Sequence, residues 1–218
     1  IVNPTLSIIL FLLGCLLGWF TGDIGDAFIR RFRPEHAGKS VTWAQTRAFR
    51  IAIALTVGTF ITLPTLRYTV PIHQLGYSVM AWLFIFLAVI DVKYRIIPNP
   101  LIAAGLALAL VMHLLTQQLQ VSHIVVGTVF AFGIFFAVAV LRPGGLGMGD
   151  VKLSTLIGVI FGFPNVLWAL IISAGVSAVV LVTLMLHKHR RLTDTIPYAP
   201  FLCIGALVML VVTTTITA

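Results

Sequence analysis

Apolar residues fall in eight blocks along the chain, at about 4–21, 49–66, 76–92, 100–117, 122–141, 150–163, 165–186 and 198–217, with short polar stretches between them. A helix needs about 20 apolar residues to cross a bilayer, and roughly 17 at the least. Seven blocks reach that length. The sixth is short and contains Gly158 and Gly162, so it starts below the membrane surface, tilts little, or continues through Phe163-Pro164 into the seventh. The pattern predicts an all-α polytopic membrane helix bundle of about eight transmembrane helices. It forms a single membrane-embedded domain over 1–218, with residues 22–48 as an inner loop.

Composition removes the soluble alternatives. The 218 residues are 60% hydrophobic and 9% charged, with a mean hydropathy of +1.10, against about 25% charged residues in soluble domains. The net charge of +8 does not point to nucleic acid, because spanning segments interrupt the basic residues. Membrane topology accounts for them instead. With the N-terminus outside, every Lys and Arg except Arg67 falls in an inner loop, as the excess of basic residues on the cytoplasmic side requires. Cys15 and Cys203 lie inside apolar blocks and no CxxC occurs, so neither a zinc site nor a disulfide framework is expected. The first block lacks a basic n-region and a cleavage pattern, and is not read as a signal peptide. Because the chain begins at Ile1, a start Met or short leader is expected to be missing.

Only six residues are acidic. Asp91 ends the third block going in and Asp150 begins the sixth coming out, which places both at the cytoplasmic face at the same depth. Each has a structural reading of its own. Asp91 could pair with Lys93 or Arg95 at an interfacial helix end, and Asp150 could cap a helix after a glycine turn. As a pair they suit peptide hydrolysis, which needs one ionised carboxylate to take a proton from water and one protonated carboxyl to polarise the scissile carbonyl. Each stands beside a backbone irregularity. Asn99 and Pro100 read as the N-cap and first residue of the next helix, with Pro98 stiffening the turn before them. Gly144-Gly145-Leu146-Gly147-Met148-Gly149 lacks the Gly-Lys-Ser/Thr of a phosphate cradle but could let an extended peptide lie beside Asp150.

Other polar residues have plainer readings. Asp23 and Asp26 are expected to pair with Arg30, and the inner loop is either a solvated stretch or a helix on the inner leaflet with Phe28, Phe32 and Trp43 dipping in. His113 reads as a hydrogen-bonded bundle residue, and His187-x-His189 as a solvated loop. Ser173, Gly175 and Ser177 suggest close helix packing, and Phe130, Phe132, Phe135 and Phe136 lipid-facing filling.

Asp91 with Arg95-Ile96-Ile97-Pro98-Asn99, followed by Gly147-Met148-Gly149-Asp150-Val151-Lys152-Leu153, resembles the bacterial prepilin peptidases, the type IV leader peptidases of the GxGD aspartic protease class. Gly22-Asp23-Ile24-Gly25-Asp26-Ala27-Phe28-Ile29-Arg30 and Ile196-Pro197-Tyr198-Ala199-Pro200 look like diverged forms of two flanking family segments. The resemblance implies a bacterial plasma-membrane aspartic endopeptidase with Asp91 and Asp150 as catalytic dyad. It would cut prepilins or pseudopilins at the cytoplasmic face, after a Gly that precedes a hydrophobic helix. Gly147, Gly149, Lys152, Arg95, Asn99 and Pro98 are the expected substrate-binding residues, with Arg95 or Lys152 meeting acidic residues of the mature pilin. No cofactor or metal is expected. Many members carry two CxxC pairs in the first cytoplasmic loop. Here that loop, 22–48, is short and has no cysteine, which puts N-methyltransferase activity in doubt. Asp26 stands where the family has Asn, bringing a third carboxylate toward the pair. The alternative outside the enzymes is a cation- or proton-coupled transporter with Asp91 and Asp150 as ion ligands.

Overall fold

The structure, a computed structural model, describes residues 4–36, 46–66, 71–116, 120–142, 146–187 and 197–216. Trp43, Arg67, Gly144, Gly145, His189 and Ile196 lie outside the described residues. Among those described are eight α-helices: α1 (Pro4–Phe32), α2 (Arg47–Thr62), α3 (Pro71–Tyr94), α4 (Asn99–Thr116), α5 (Val121–Leu141), α6 (Met148–Phe161), α7 (Asn165–Leu186) and α8 (Ala199–Ile216). Short 3-10 turns at Pro34–His36 and Leu63–Leu66 follow α1 and α2.

The eight apolar blocks are therefore the eight helices, which differ in length. Among the described residues, five stretches are long and apolar enough, by length and composition, to cross a membrane: Ser7–Phe32, Ile72–Tyr94, Asn99–Thr116, Val121–Leu141 and Asn165–Leu186. Two of the others, α2 with 16 residues and α6 with 14, fall below the roughly 17 residues of an ordinary span. One boundary differs more substantially from expectation. Residues 22–32, read as loop because of their charges, continue α1 without a break, with Asp23 and Asp26 paired to residues of other helices.

The chain forms two compact units, Ile1–Ile96 with Leu210–Ala218, and Ile97–Met209. Within the first, α1 and α2 cross where both backbones are bare. A Cβ added to Gly18 would lie 2.6 Å from Ala54 Cα, and one on Gly14 would lie 2.8 Å from Gly58 Cα. Small residues four apart on both helices give the close approach that packs helices where lipid offers no hydrophobic drive. Thr46 caps α2, its hydroxyl accepting from the Phe49 N–H at 3.4 Å.

In the second unit the same device joins α5 to α6. A Cβ on Gly158 would lie 2.7 Å from the Gly127 carbonyl oxygen. Gly162 closes α6 at φ 61°, a conformation only glycine adopts easily, and the next N–H, of Phe163, donates to the His123 carbonyl at 2.8 Å. His113 hydrogen-bonds the Val159 carbonyl at 2.8 Å, tying α4 to α6 as a bundle residue should. Ser173 and Ser177 are buried, but Gly175 faces open space. The close crossing is instead Gly205 of α8 against Ala169 and Ser173 of α7. Of the α5 phenylalanines, Phe130, Phe132 and Phe136 are exposed to the surroundings. Phe135 turns inward, 6.0 Å from the Tyr198 ring. Cys203 is buried and Cys15 half-buried, its sulfur against Gly58.

Candidate active site

Asp91 belongs to the first unit and Asp150 to the second. Asp91 lies in the last turn of α3, which is the most buried of the five spans, and the residue is 5% exposed. The turn ends abruptly. The Arg95 N–H still reaches the Asp91 carbonyl at 2.8 Å, but Arg95 itself has φ 55° and is exposed. A side chain in this left-handed region costs about 1–2 kcal/mol, and it turns the chain sharply out of α3.

Trp82, Phe86, Ile90 and Lys93 form the side of α3 that meets α1. The Trp82 indole donates to Thr21 Oγ1 at 3.3 Å and stacks on Phe86 at 5.0 Å, and Gly25 lies against Phe86 and Ile90. Lys93 is buried and ion-pairs with Asp26, and its ammonium also donates to the Gly22 carbonyl at 3.3 Å. The Tyr94 hydroxyl donates to the same Asp26 oxygen at 2.7 Å. Asp23 makes a two-pronged pair with Arg50, at 2.8 and 2.9 Å. The expectation that Asp23 and Asp26 pair with Arg30 is thus corrected: their partners come from α2 and α3, which local spacing does not reveal. The Asp26–Lys93 pair is what the sequence reading missed. The signal was there, since Lys93 is the only Lys or Arg in α3 and must find one of very few carboxylates.

Around Asp150, the chain enters α6 with Gly147 at the cap position and Asp150 third in the helix, not at the cap. The carboxylate reaches back to accept the Gly147 N–H at 3.2 Å, half of a capping box whose other half glycine cannot supply. Asp150 is half-buried, and burial pushes its carboxyl up to about 6 from the ordinary 3.8, against the opposing effect of the Gly147 hydrogen bond. Gly147 is exposed, with φ −79°. Gly149 needs no positive φ either; it is small because Ile97 sits on it, and an added Cβ would lie 3.0 Å from the Ile97 Cβ.

Ile97, Pro98 and Asn99 lead into α4. The Pro98 carbonyl accepts from Leu101 at 3.1 Å and from Ile102 at 3.4 Å, so Pro98, not Asn99, occupies the cap position. The Asn99 side chain is used elsewhere: its Oδ1 accepts from Lys152 Nζ at 2.8 Å. The structure therefore brings Asn99 to Lys152, Ile97 to Gly149 and Gly147 to Asp150, all at the start of α6. Ser154 is buried, its hydroxyl bonded to the Val151 carbonyl at 2.8 Å, and serves packing.

A sequence profile described as "Type IV leader peptidase family" matches residues 78–184, a stretch that includes both aspartates. Curated relatives named "Prepilin leader peptidase/N-methyltransferase" are similar at the same low level. The protein of Pseudomonas putida is 25% identical over 144 residues, covering 64% of this chain and 50% of that protein. That of Bacillus subtilis is 23% identical over 142 residues, covering 65% and 57%. That of Aeromonas salmonicida is 25% identical over 136 residues, covering 60% and 47%. The chain thus spans about half the length of the curated relatives it matches. No solved structure matches it. With its two aspartate-bearing helix ends and the profile match over both, the segment 78–184 belongs to the type IV leader peptidase family.

Proposed function

We propose that this protein is an aspartic endopeptidase that removes the leader of type IV prepilins or pseudopilins, with Asp91 and Asp150 as the catalytic pair. The observation that carries the reading is the family match, which takes in the end of α3 with Asp91 and the start of α6 with Asp150. Connectivity supports it. Two spans, α4 and α5, separate the two helix ends, so a chain that crosses twice between them returns to the face it left. The distribution of Lys and Arg, counted with all eight helices crossing, favours the cytoplasmic face.

The chemistry follows from the carboxyls. Water entering from the inner face gives a proton to the ionised carboxylate as it attacks the scissile carbonyl, while the protonated carboxyl donates to the carbonyl oxygen. The tetrahedral intermediate then collapses, with the proton passing to the leaving amine. Burial raises the proton affinity of Asp150, to about 6, so it takes up a proton more readily than an ordinary carboxylate once the second carboxylate and the substrate stand beside it. The pair as a whole sets the observed pH dependence. Gly147, Met148 and Gly149 offer a backbone edge to the substrate, and the exposed Arg95 offers a cation to acidic residues of the mature pilin. Lys152 shares that task from its bond to Asn99, beside Pro98. Single-domain organisation over 1–218, a bacterial plasma-membrane location and an N-terminus outside complete the reading.

The test is incubation of the membrane-embedded protein with a model prepilin, followed by mass analysis of the new N-terminus. The reading expects one cut, after the Gly that precedes the apolar helix. An intact prepilin, or a cut within the mature pilin, would contradict it.

A further inference from the structure

We propose that Asp26, Lys93 and Tyr94 are positioning residues for Asp91: together they pin the rotation of α3 on α1 and thereby fix the direction of the Asp91 carboxyl. The proposal rests on the reading of Asp91 as one of the two catalytic carboxylates.

The argument begins with how α3 is seated. Successive residues of an α-helix are turned by about 100°. Trp82, Phe86, Ile90 and Lys93 therefore share a sector of roughly 80°, the sector that meets Thr21, Gly22, Gly25 and Asp26 of α1. Asp91 stands about 100° from Ile90 and roughly 160° from Lys93, so it is turned off the α1 contact. Rotation of α3 by one residue step would carry Asp91 through an angle of that same size, so the carboxyl's direction depends on what fixes the rotation.

Apolar contact fixes it poorly. Phe86 and Ile90 lie against Gly25, where even an added Cβ would be in ordinary contact at 3.5 Å from each, and a flat glycine surface tolerates sliding and rolling. The ion pair is directional. Lys93 is 3% exposed and is held by two acceptors on α1, the Asp26 carboxylate and the Gly22 carbonyl. Asp26 Oδ1 in turn takes the Tyr94 hydroxyl at 2.7 Å, from the side of α3 that lies between Lys93 and Asp91. Two donors from adjacent residues of one helix converging on one oxygen of the other define a single rotation. Specifying registry in this way is the best-attested use of buried ion pairs, whose net contribution to stability is often small.

The test uses the full chain in membranes and the double variant Asp26→Asn/Lys93→Met, which leaves no unpaired buried charge and so keeps the fold where either single change would endanger it. Two measurements are made. One is kcat and KM for cleavage of a model prepilin. The other is the rate of maleimide labelling of Asp91→Cys, with Cys15 and Cys203 replaced by alanine, with and without the double change. The proposal expects kcat to fall tenfold or more with KM within twofold, and labelling to change at least threefold. Labelling within twofold of the paired chain would overturn the pin, whatever the effect on kcat. Changed labelling with an unaltered kcat would overturn the positioning role. If the unmodified protein cleaves nothing, the peptidase reading fails by itself, and the labelling rates still decide whether the pin exists.

Discussion

Replacing Asp150 by Asn should make the protein more stable at neutral pH, although it removes a proposed catalytic group. Burial raises the Asp150 carboxyl from 3.8 to about 6, so the folded state holds a proton that the unfolded chain has already released. Below about pH 3.8 both states are protonated and the shift contributes nothing. Between there and about 6 the folded state binds more protons, and stability falls as pH rises. Above 6 the penalty is complete. A shift of this size, at 1.36 kcal/mol per pKa unit, corresponds to about 3 kcal/mol at most. Asn carries no charge and its amide oxygen can still accept the Gly147 N–H, now held at 3.2 Å, so Asp150→Asn should recover about 2–3 kcal/mol at pH 7.5 and little at pH 4. Thermal unfolding of the purified protein in a mild detergent at the two pH values measures this. A variant no more stable than wild type at pH 7.5, or one stabilised equally at both, would refute the reasoning.

Two further substitutions probe the framework. Gly158→Ala places a Cβ 2.7 Å from a backbone oxygen of α5, a clash no side-chain rotation relieves, and should cost about 1–3 kcal/mol in the same unfolding assay. Arg95→Gly removes a side chain from φ 55° and should raise stability by up to about 1 kcal/mol. It should also raise KM for prepilins with acidic residues beyond the cut, a rise that Arg95→Lys would spare.

The sequence made the helices legible because long apolar blocks have one solution in a bilayer, where every backbone polar group must be satisfied within the segment. It misled where charge stood in for loop. Asp23, Asp26, Arg30 and Arg31 read as the end of a span, yet α1 runs through to Phe32. Two of these charges are met by Arg50 and Lys93, 27 and 67 residues away, and no local pattern names such partners. The spacing of Gly14 and Gly18 was visible, but their partners Ala54 and Gly58 emerge only from the crossing of α1 and α2. At Asn99 a sound local rule was displaced by one residue: the side chain that could have capped α4 goes to Lys152 instead, and the Pro98 carbonyl begins the helix. Asp150 was legible as a residue at a helix start, whereas the burial that raises its proton affinity depends on packing.

The most direct test of the central claim is leader removal from a co-expressed model prepilin by wild type, Asp91→Asn and Asp150→Asn, each inserted to equal levels. The account predicts cleavage by wild type and none by either variant. Cleavage retained in both variants would mean that the two aspartates are structural helix-end residues, and would contradict the catalytic pair.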